Sequence, residues 1–153
     1  MQEKDTGDLE RELLNTFPKD MPRYISENQD VFIDGRRNFM EYMNRKIKEN
    51  GLKKQDVLLR ADISQGYGYK LLNEEKHTKQ RDIILRLCYA AELTLKETQH
   101  VLKLYQMEEL YPKYSRDAFI MACFNNRPGS IIEVNELMVK NKMDPIRTSG
   151  MQD

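Results

Sequence analysis

The stretch RDIILRLCYAAEL, residues 81–93, constrains this chain more than any other. Its apolar residues are too dense and too continuous for the alternation of a half-exposed strand, and the run is longer than an ordinary strand. A helix this apolar must be surrounded by other helices, so it is expected to form the centre of a core. Its neighbours carry helix-start signals. Thr78, the last residue of the polar loop EEKHT, can cap it, and Thr94-Leu-Lys-Glu97 behind it is a capping box opening TLKETQHVLKLYQM, which ends near Tyr111-Pro112. Ser115 is expected to cap RDAFIMACFNN, and Ser130-Ile-Ile-Glu133 is a second capping box, opening a last helix to about Lys142.

The remaining segments fit the same class. DLERELLNTF, residues 8–17, reads as a short amphipathic helix with Leu9, Leu13, Leu14 and Phe17 on one side, and Pro18 and Pro22 then break the chain. From about Gly35 through Asn50, Phe39, Tyr42, Met43 and Ile47 follow the 3.6-residue period, and Gly51 marks the stop. KKQDVLLRA, residues 53–61, turns Val57, Leu58 and Ala61 inward. A short link leads to Ser64, a good N-cap for a helix running to about Asn73. No segment alternates like a strand, so the expected fold is all-α, with about eight helices and no internal repeat. The expected divisions are 1–34, an acidic extension with one short helix; 35–106, the main domain; 107–143, a C-terminal helix pair packed on or extending the core; and 144–153, a flexible tail.

Several function classes drop out. Cys88 and Cys123 lie far apart within apolar patterns and read as buried, reduced thiols, while His77 and His100 are the only histidines. No metal-ligand spacing, P-loop, nucleophile elbow or dinucleotide fingerprint is present, so no enzymatic activity, metal or cofactor is expected. His100 reads as a surface or packing residue. No apolar run approaches the ~18 residues of a membrane span, and MQEKDTGDLE does not have the pattern of a signal peptide, so the expected location is the cytoplasm.

Charge is distributed unevenly behind a formal net charge of zero. Residues 1–35 carry a net −5, residues 36–81 a net +6, and residues 82–153 a net −1. Electrostatics act over about 8 Å at physiological salt, so the local balance matters and residues 36–81 form a basic module. The asymmetry motivates the hypothesis that the acidic segment masks the basic one. Unchanged DNA affinity at low salt after removal of residues 1–30 would rule that out.

The basic module contains two short helices joined by a tight turn, then a basic loop and a buried helix, an arrangement that can brace one helix for insertion into a DNA groove. GLKKQDVLLRADIS, residues 51–64, followed by QGYGYKLLN, residues 65–73, resembles the repressor/Cro (XRE-type, lambda-repressor-like) family. KQRDIILRLCYAAEL and TLKETQHVL fall where that family has its next two helices, so the likeness covers about residues 37–104. The Tyr-Gly-Tyr segment is similar to a subset of such proteins from Gram-positive bacteria. Asp62 and Glu74 stand where the family commonly has glycine, and Lys54 where it usually has glutamine.

The resemblance implies a helix-turn-helix bundle with an extra N-terminal helix and a C-terminal helix pair, and a recognition helix at about 64–73. Carried over position by position, it implies base-facing Gln65, Gly66 and Tyr69, with Lys54, Lys70, Lys76, His77 and Lys79 on phosphates. An amide such as Gln65 can bond adenine through both donor and acceptor. Tyr67, Leu71 and Leu72 are expected against the core. The two glycines each cost a helix roughly 0.8–1.0 kcal/mol against alanine, which marks a place where something approaches the backbone closely.

The leading expectation is a bacterial, sequence-specific transcription regulator on double-stranded DNA. The rival is a protein-interaction adaptor, or an antitoxin or immunity component, docking a protein partner through the Gly-Tyr-Gly-Tyr face, because aromatic residues anchor protein interfaces. The C-terminal pair, with Phe119, Ile120, Ala122, Cys123, Ile131, Ile132, Leu137 and Met138 as its apolar face, can extend the core or form a homodimer surface.

Overall fold

A computed structural model describes residues 4–32 and 38–147, and every regular element among them is helical. The chain divides into two compact units, Met1–Arg36 and Arg37–Asp153.

In the first unit, α1 spans Thr6–Leu14 and α2 spans Met21–Glu27, with a 3-10 turn at Pro18–Asp20. α1 starts earlier than the apolar spacing suggests, because Asp5 and Asp8 form a reciprocal capping box, Asp8 N–H donating to Asp5 Oδ1 at 2.8 Å. The expectation of a single helix here is corrected: Pro22 lies in the first turn of α2, where its missing N–H breaks no helical bond. The side expected to carry the apolar stripe is largely uncovered in this unit, with Leu14 83% exposed and Leu13 and Phe17 also exposed.

The second unit contains α3 (Asn38–Glu49), α4 (Lys54–Arg60), α5 (Gln65–Leu72), α6 (Arg81–Ala90), α7 (Leu95–Leu104), α8 (Ser115–Asn125) and α9 (Ile131–Lys140). The expected start of α3 near Gly35 lies outside the described residues. α6 is central: it is buried from Asp82 to Ala90 and packs against α4, α7 and α9. Phe39, Met43 and Ile47 of α3, Leu71 and Leu72 of α5, and Val134 and Met138 of α9 join the same core.

One device ends helix after helix. Gly51, Asp62, Glu74, Glu92, Gln106 and Lys142 all take positive φ just past a helix, and only the first is glycine. At each, the next N–H reaches back to a carbonyl five residues earlier: Leu52 to Ile47, Ile63 to Leu58, Glu75 to Lys70, Leu93 to Cys88, Met107 to Leu102, and Met143 to Met138, at 2.8 to 3.0 Å. This is the Schellman closure, and except for Glu75 the reaching residue is apolar, supplying the hydrophobic contact that accompanies it. Asp62 and Glu74 therefore hold the backbone conformation that glycine adopts freely.

The helix starts match the sequence unevenly. Both expected boxes form: Thr94 with Glu97 at 2.9 and 3.1 Å, and Ser130 with Glu133 and Ile132. Three expected caps do not. Ser64 occupies the N-cap of α5 without a capping hydrogen bond from its side chain. Thr78 is buried two residues before the N-cap Gln80, accepting that residue's N–H at 3.0 Å. Ser115 is the first residue of α8 rather than its cap.

The helix starts of α6 and α8 are instead joined by a reciprocal exchange between two Arg-Asp dipeptides. Arg81 donates to both oxygens of Asp117 at 3.2 and 2.5 Å, and Arg116 to both oxygens of Asp82 at 3.1 and 2.9 Å. Further along, Arg127 lies over the Tyr89 ring at 4.2 Å and donates to the carbonyls of Tyr89, in the last turn of α6, and of Leu93, just past it. The inner faces of α8 and α9 therefore extend the core, through Ile120, Cys123, Phe124, Ile131, Val134 and Met138. Ala122 and Ile132, expected on that face, are exposed, and Phe119 and Leu137 are half-buried.

Of the segment expected as a flexible tail, 144–147 are described and bonded to the rest of the unit, and 148–153 lie outside the described residues. Ile146 is 2% exposed and exchanges two hydrogen bonds with Asn135 of α9, at 2.8 and 3.2 Å.

Candidate nucleic-acid interface

α4 and α5 are joined by Ala61, Asp62, Ile63 and Ser64, a turn held by Ile63 N–H on Leu58 O and by the buried side chains of Ala61 and Ile63. Val57 and Leu58 anchor α4 inward, and Leu71 and Leu72 anchor α5. Residues four apart are neighbours on a helix, so Gln65, Tyr69 and the C-cap residue Asn73 form one row along the flank of α5, and Gly66 and Lys70 form the next row, farther from buried Leu71 and Leu72. Gln65, Gly66, Lys70 and Asn73 are exposed. Tyr69 is half-buried and packs against the core edge, so its ring is less outward than the spacing suggests. Tyr67 is also half-buried, with Lys76 Nζ 5.8 Å above its ring.

The two glycines of α5 separate here. A Cβ on Gly68 would stand 2.3 Å from Leu58 Cδ2 and 2.9 Å from Leu58 Cγ, so its glycine lets α4 and α5 approach. A Cβ on Gly66 would meet nothing within 4 Å.

The basic residues do not share one setting. Lys70, Lys76, His77 and Lys79 are exposed, and Lys54 is half-buried at the start of α4. The loop after α5 folds back on it, with the N–H groups of Glu75 and Lys76 on the Lys70 carbonyl at 2.8 and 3.1 Å, which draws Lys70 and Lys76 together. His77 stacks on Tyr105 with centroids 4.3 Å apart, and the Tyr105 hydroxyl accepts the Thr78 N–H at 3.0 Å. The end of α7 therefore fixes the loop. Arg81, part of this basic run in the sequence, is taken up by Asp117. Lys46 is also engaged, with Glu97 at 2.7 Å. Burial pushes the Glu97 carboxyl up, but the Lys46 ammonium and the hydrogen bonds from Thr94 together outweigh it and hold the carboxyl below its ordinary value. Asp56, Asp62, Glu74 and Glu75 are exposed around α4 and α5, so the face is mixed in charge rather than uniformly basic.

Two features of the site were missed in the sequence. Asn73 adds a second amide to the Gln65 row, and its signal was the spacing of four from Tyr69. Leu59 is 76% exposed on α4 and lines a shallow groove of about 390 Å³ with Ile63, Ser64 and Gln65.

Cys88 and Cys123 are buried and unpaired to each other, and burial pushes both thiols above their ordinary range. No group of three or more His, Cys, Asp or Glu that could hold a metal occurs among the described residues. His100 is half-buried against the Tyr42 ring at 4.7 Å. Among the described residues no helix is long and apolar enough to cross a membrane. Comparison with family models, curated proteins and solved structures gives no match.

Proposed function

We propose that this chain is a sequence-specific DNA-binding regulator of the repressor/Cro type, with α5 entering the major groove and α4 bracing it. The observation that carries this reading is the outer face of α5. It presents two exposed amides, Gln65 at the first turn and Asn73 at the cap just past the last, on a short helix whose inner face is locked to α4 and the core. Gly66 leaves that face bare at the first turn, where helix N–H groups lack intrahelical partners and can meet a phosphate. Lys70, Lys76, His77 and Lys79 supply backbone charge, and Lys54 adds to it at the start of α4.

A pool of random duplex DNA selected on the protein at moderate salt is expected to yield an enriched motif; an unenriched pool sinks the reading. With the enriched duplex, Gln65→Ala is expected to relax specificity, whereas Lys70→Ala weakens all sequences alike and reduces the salt slope by about one. A two-fold motif would call for two copies of the chain, and exposed Ile132 and Val139, seven residues apart on α9, offer an apolar strip for that pairing.

One observation favours a second reading, a protein-docking adaptor: exposed Leu59 beside the groove next to Gln65, with carboxylates interspersed among the lysines. Elution from heparin near starting salt favours that reading over DNA.

A further inference from the structure

Arg86 is the one arginine in the middle of the core helix, 2% exposed, and no salt bridge is formed by it among the described residues. Its guanidinium is satisfied by backbone carbonyls from two distant parts of the chain. One nitrogen donates to Ala61 O, in the turn between α4 and α5, at 2.9 Å. Another donates to Ile146 O at 2.7 Å, and Nε donates to Arg147 O. Burial pulls the guanidinium below its ordinary value, opposed by the charges of Asp62 and Asp82. A buried cation without its acceptors is costly, so the turn and the tail are needed together to hold it.

The tail is fixed from other sides as well. Arg147 N–H donates to Asp82 Oδ2 at 2.9 Å, and Arg116, already paired with Asp82, donates to the carbonyls of Asp144 and Pro145 at 3.0 and 3.1 Å. Asn135 holds Ile146 by both its N–H and its carbonyl.

We propose that residues 144–147 act as a strap that, through Arg86, holds the α4–α5 turn in the geometry presenting α5 to DNA. Arg86 is thus a positioning residue for the outer face of α5, acting through Ala61 without touching the partner. The strap itself stands on the hydrogen bonds above; its effect on DNA rests on the regulator reading.

The test uses full-length Ile146→Asp, which places a charge where the strap is buried, with two readouts. The first is amide hydrogen exchange at Asp62 and Ile63, whose N–H groups bond Leu59 and Leu58. These amides are expected to speed up about tenfold beyond any change at Tyr42 and Met43 in α3, because local opening is read apart from global unfolding. The second is affinity for an enriched and a scrambled duplex. The enriched duplex is expected to lose about tenfold while the scrambled one keeps its affinity, since only register on the bases has been disturbed.

Parallel acceleration of all amides overturns the strap, and parallel weakening of both duplexes overturns its positioning role. If no sequence is ever enriched, the regulator reading fails while the exchange experiment still decides the strap. Should Ile146→Asp not fold, Asn135→Ala removes the two bonds to Ile146 and leaves the core side chains in place. It is expected to give the same order of exchange with a smaller factor, and no difference between turn and α3 there also overturns the proposal.

Discussion

The inner and outer edges of α5 carry the same costly residue for opposite reasons. Gly68 on the inner edge is packed on Leu58 so tightly that a methyl group has no room. Gly66, two residues earlier on the outer edge, faces open space. Each glycine costs the helix roughly 0.8–1.0 kcal/mol, and the chain's own packing accounts for only one of them. The difference teaches that the inner edge is built for α4, while the outer edge is free to be matched to something outside the chain.

The largest expected effect tests the inner edge. Leu58→Ala is expected to cost about 2–5 kcal/mol in urea denaturation, as for other buried leucines. Gly68→Ala should cost about 1–2 kcal/mol in the native background, overpacking outweighing the gain in helix propensity. In the Leu58→Ala background the same change should become neutral or stabilising. A Gly68→Ala cost that is identical in both backgrounds would break the assignment of Gly68 to the α4 contact.

A smaller effect sharpens the contrast at the helix ends. Glu74 closes α5 with positive φ, and Glu92 closes α6 in the same way. Replacing either by glycine is expected to raise stability by about 1 kcal/mol, by relieving a left-handed conformation that a side chain disfavours. A loss at Glu74 alone would show that its side chain contributes something that Glu92 does not.

The starts differ too. Thr94→Ala, which removes half of a formed capping box, should cost about 1 kcal/mol. Ser64→Ala, at a cap position without a side-chain bond, should stay within about 0.5 kcal/mol. Equal losses in thermal melts would mean that α5 is capped as firmly as α7 and that its first turn is not open.

The smallest effect concerns charge. Against burial, Lys46 and the Thr94 hydrogen bonds together hold Glu97 below its ordinary 4.5, so its contribution is present above that pH and is lost as pH falls through the lowered value. Lys46 is held above its ordinary 10.5, so its share is full below that pH and is lost as pH rises through the raised value. Glu97→Gln should flatten the acid limb of the stability profile and leave duplex affinity unchanged, since Lys46 is engaged away from α5. A changed affinity would add Lys46 to the binding face.

Much of the helical fold was legible because its signals are local. The density of RDIILRLCYAAEL indicated the core helix, and the spacing of Thr94 with Glu97 and Ser130 with Glu133 marked two helix starts. Ser64, Thr78 and Ser115 have the right residue type for a cap, but whether a hydroxyl caps depends on where the chain arrives from, which local sequence does not encode. The helix stops were obscured because Asp62, Glu74, Glu92, Gln106 and Lys142 do the work usually given to glycine. Their apolar followers, such as Ile63 and Leu93, were the available signal. The strap was missed because Arg86 and Asn135 act over long sequence separations on backbone carbonyls, which no residue type announces. The matching Arg-Asp dipeptides at 81–82 and 116–117 were visible, but not their exchange of partners. At the site, exposure of Gln65 and Gly66 followed from helical spacing, whereas the half-burial of Tyr69 and the engagement of Arg81 depended on neighbours far along the chain.

The most direct test of the outer edge is Gly66→Ala, measured for both thermal stability and affinity for a selected duplex. The account predicts that the variant melts higher, by the roughly 0.8–1.0 kcal/mol of helix propensity, yet binds about tenfold or more weakly, a loss of about 1.4 kcal/mol or more. Affinity that stays level or rises together with stability would contradict it, because the bare backbone at Gly66 would then be serving no close contact.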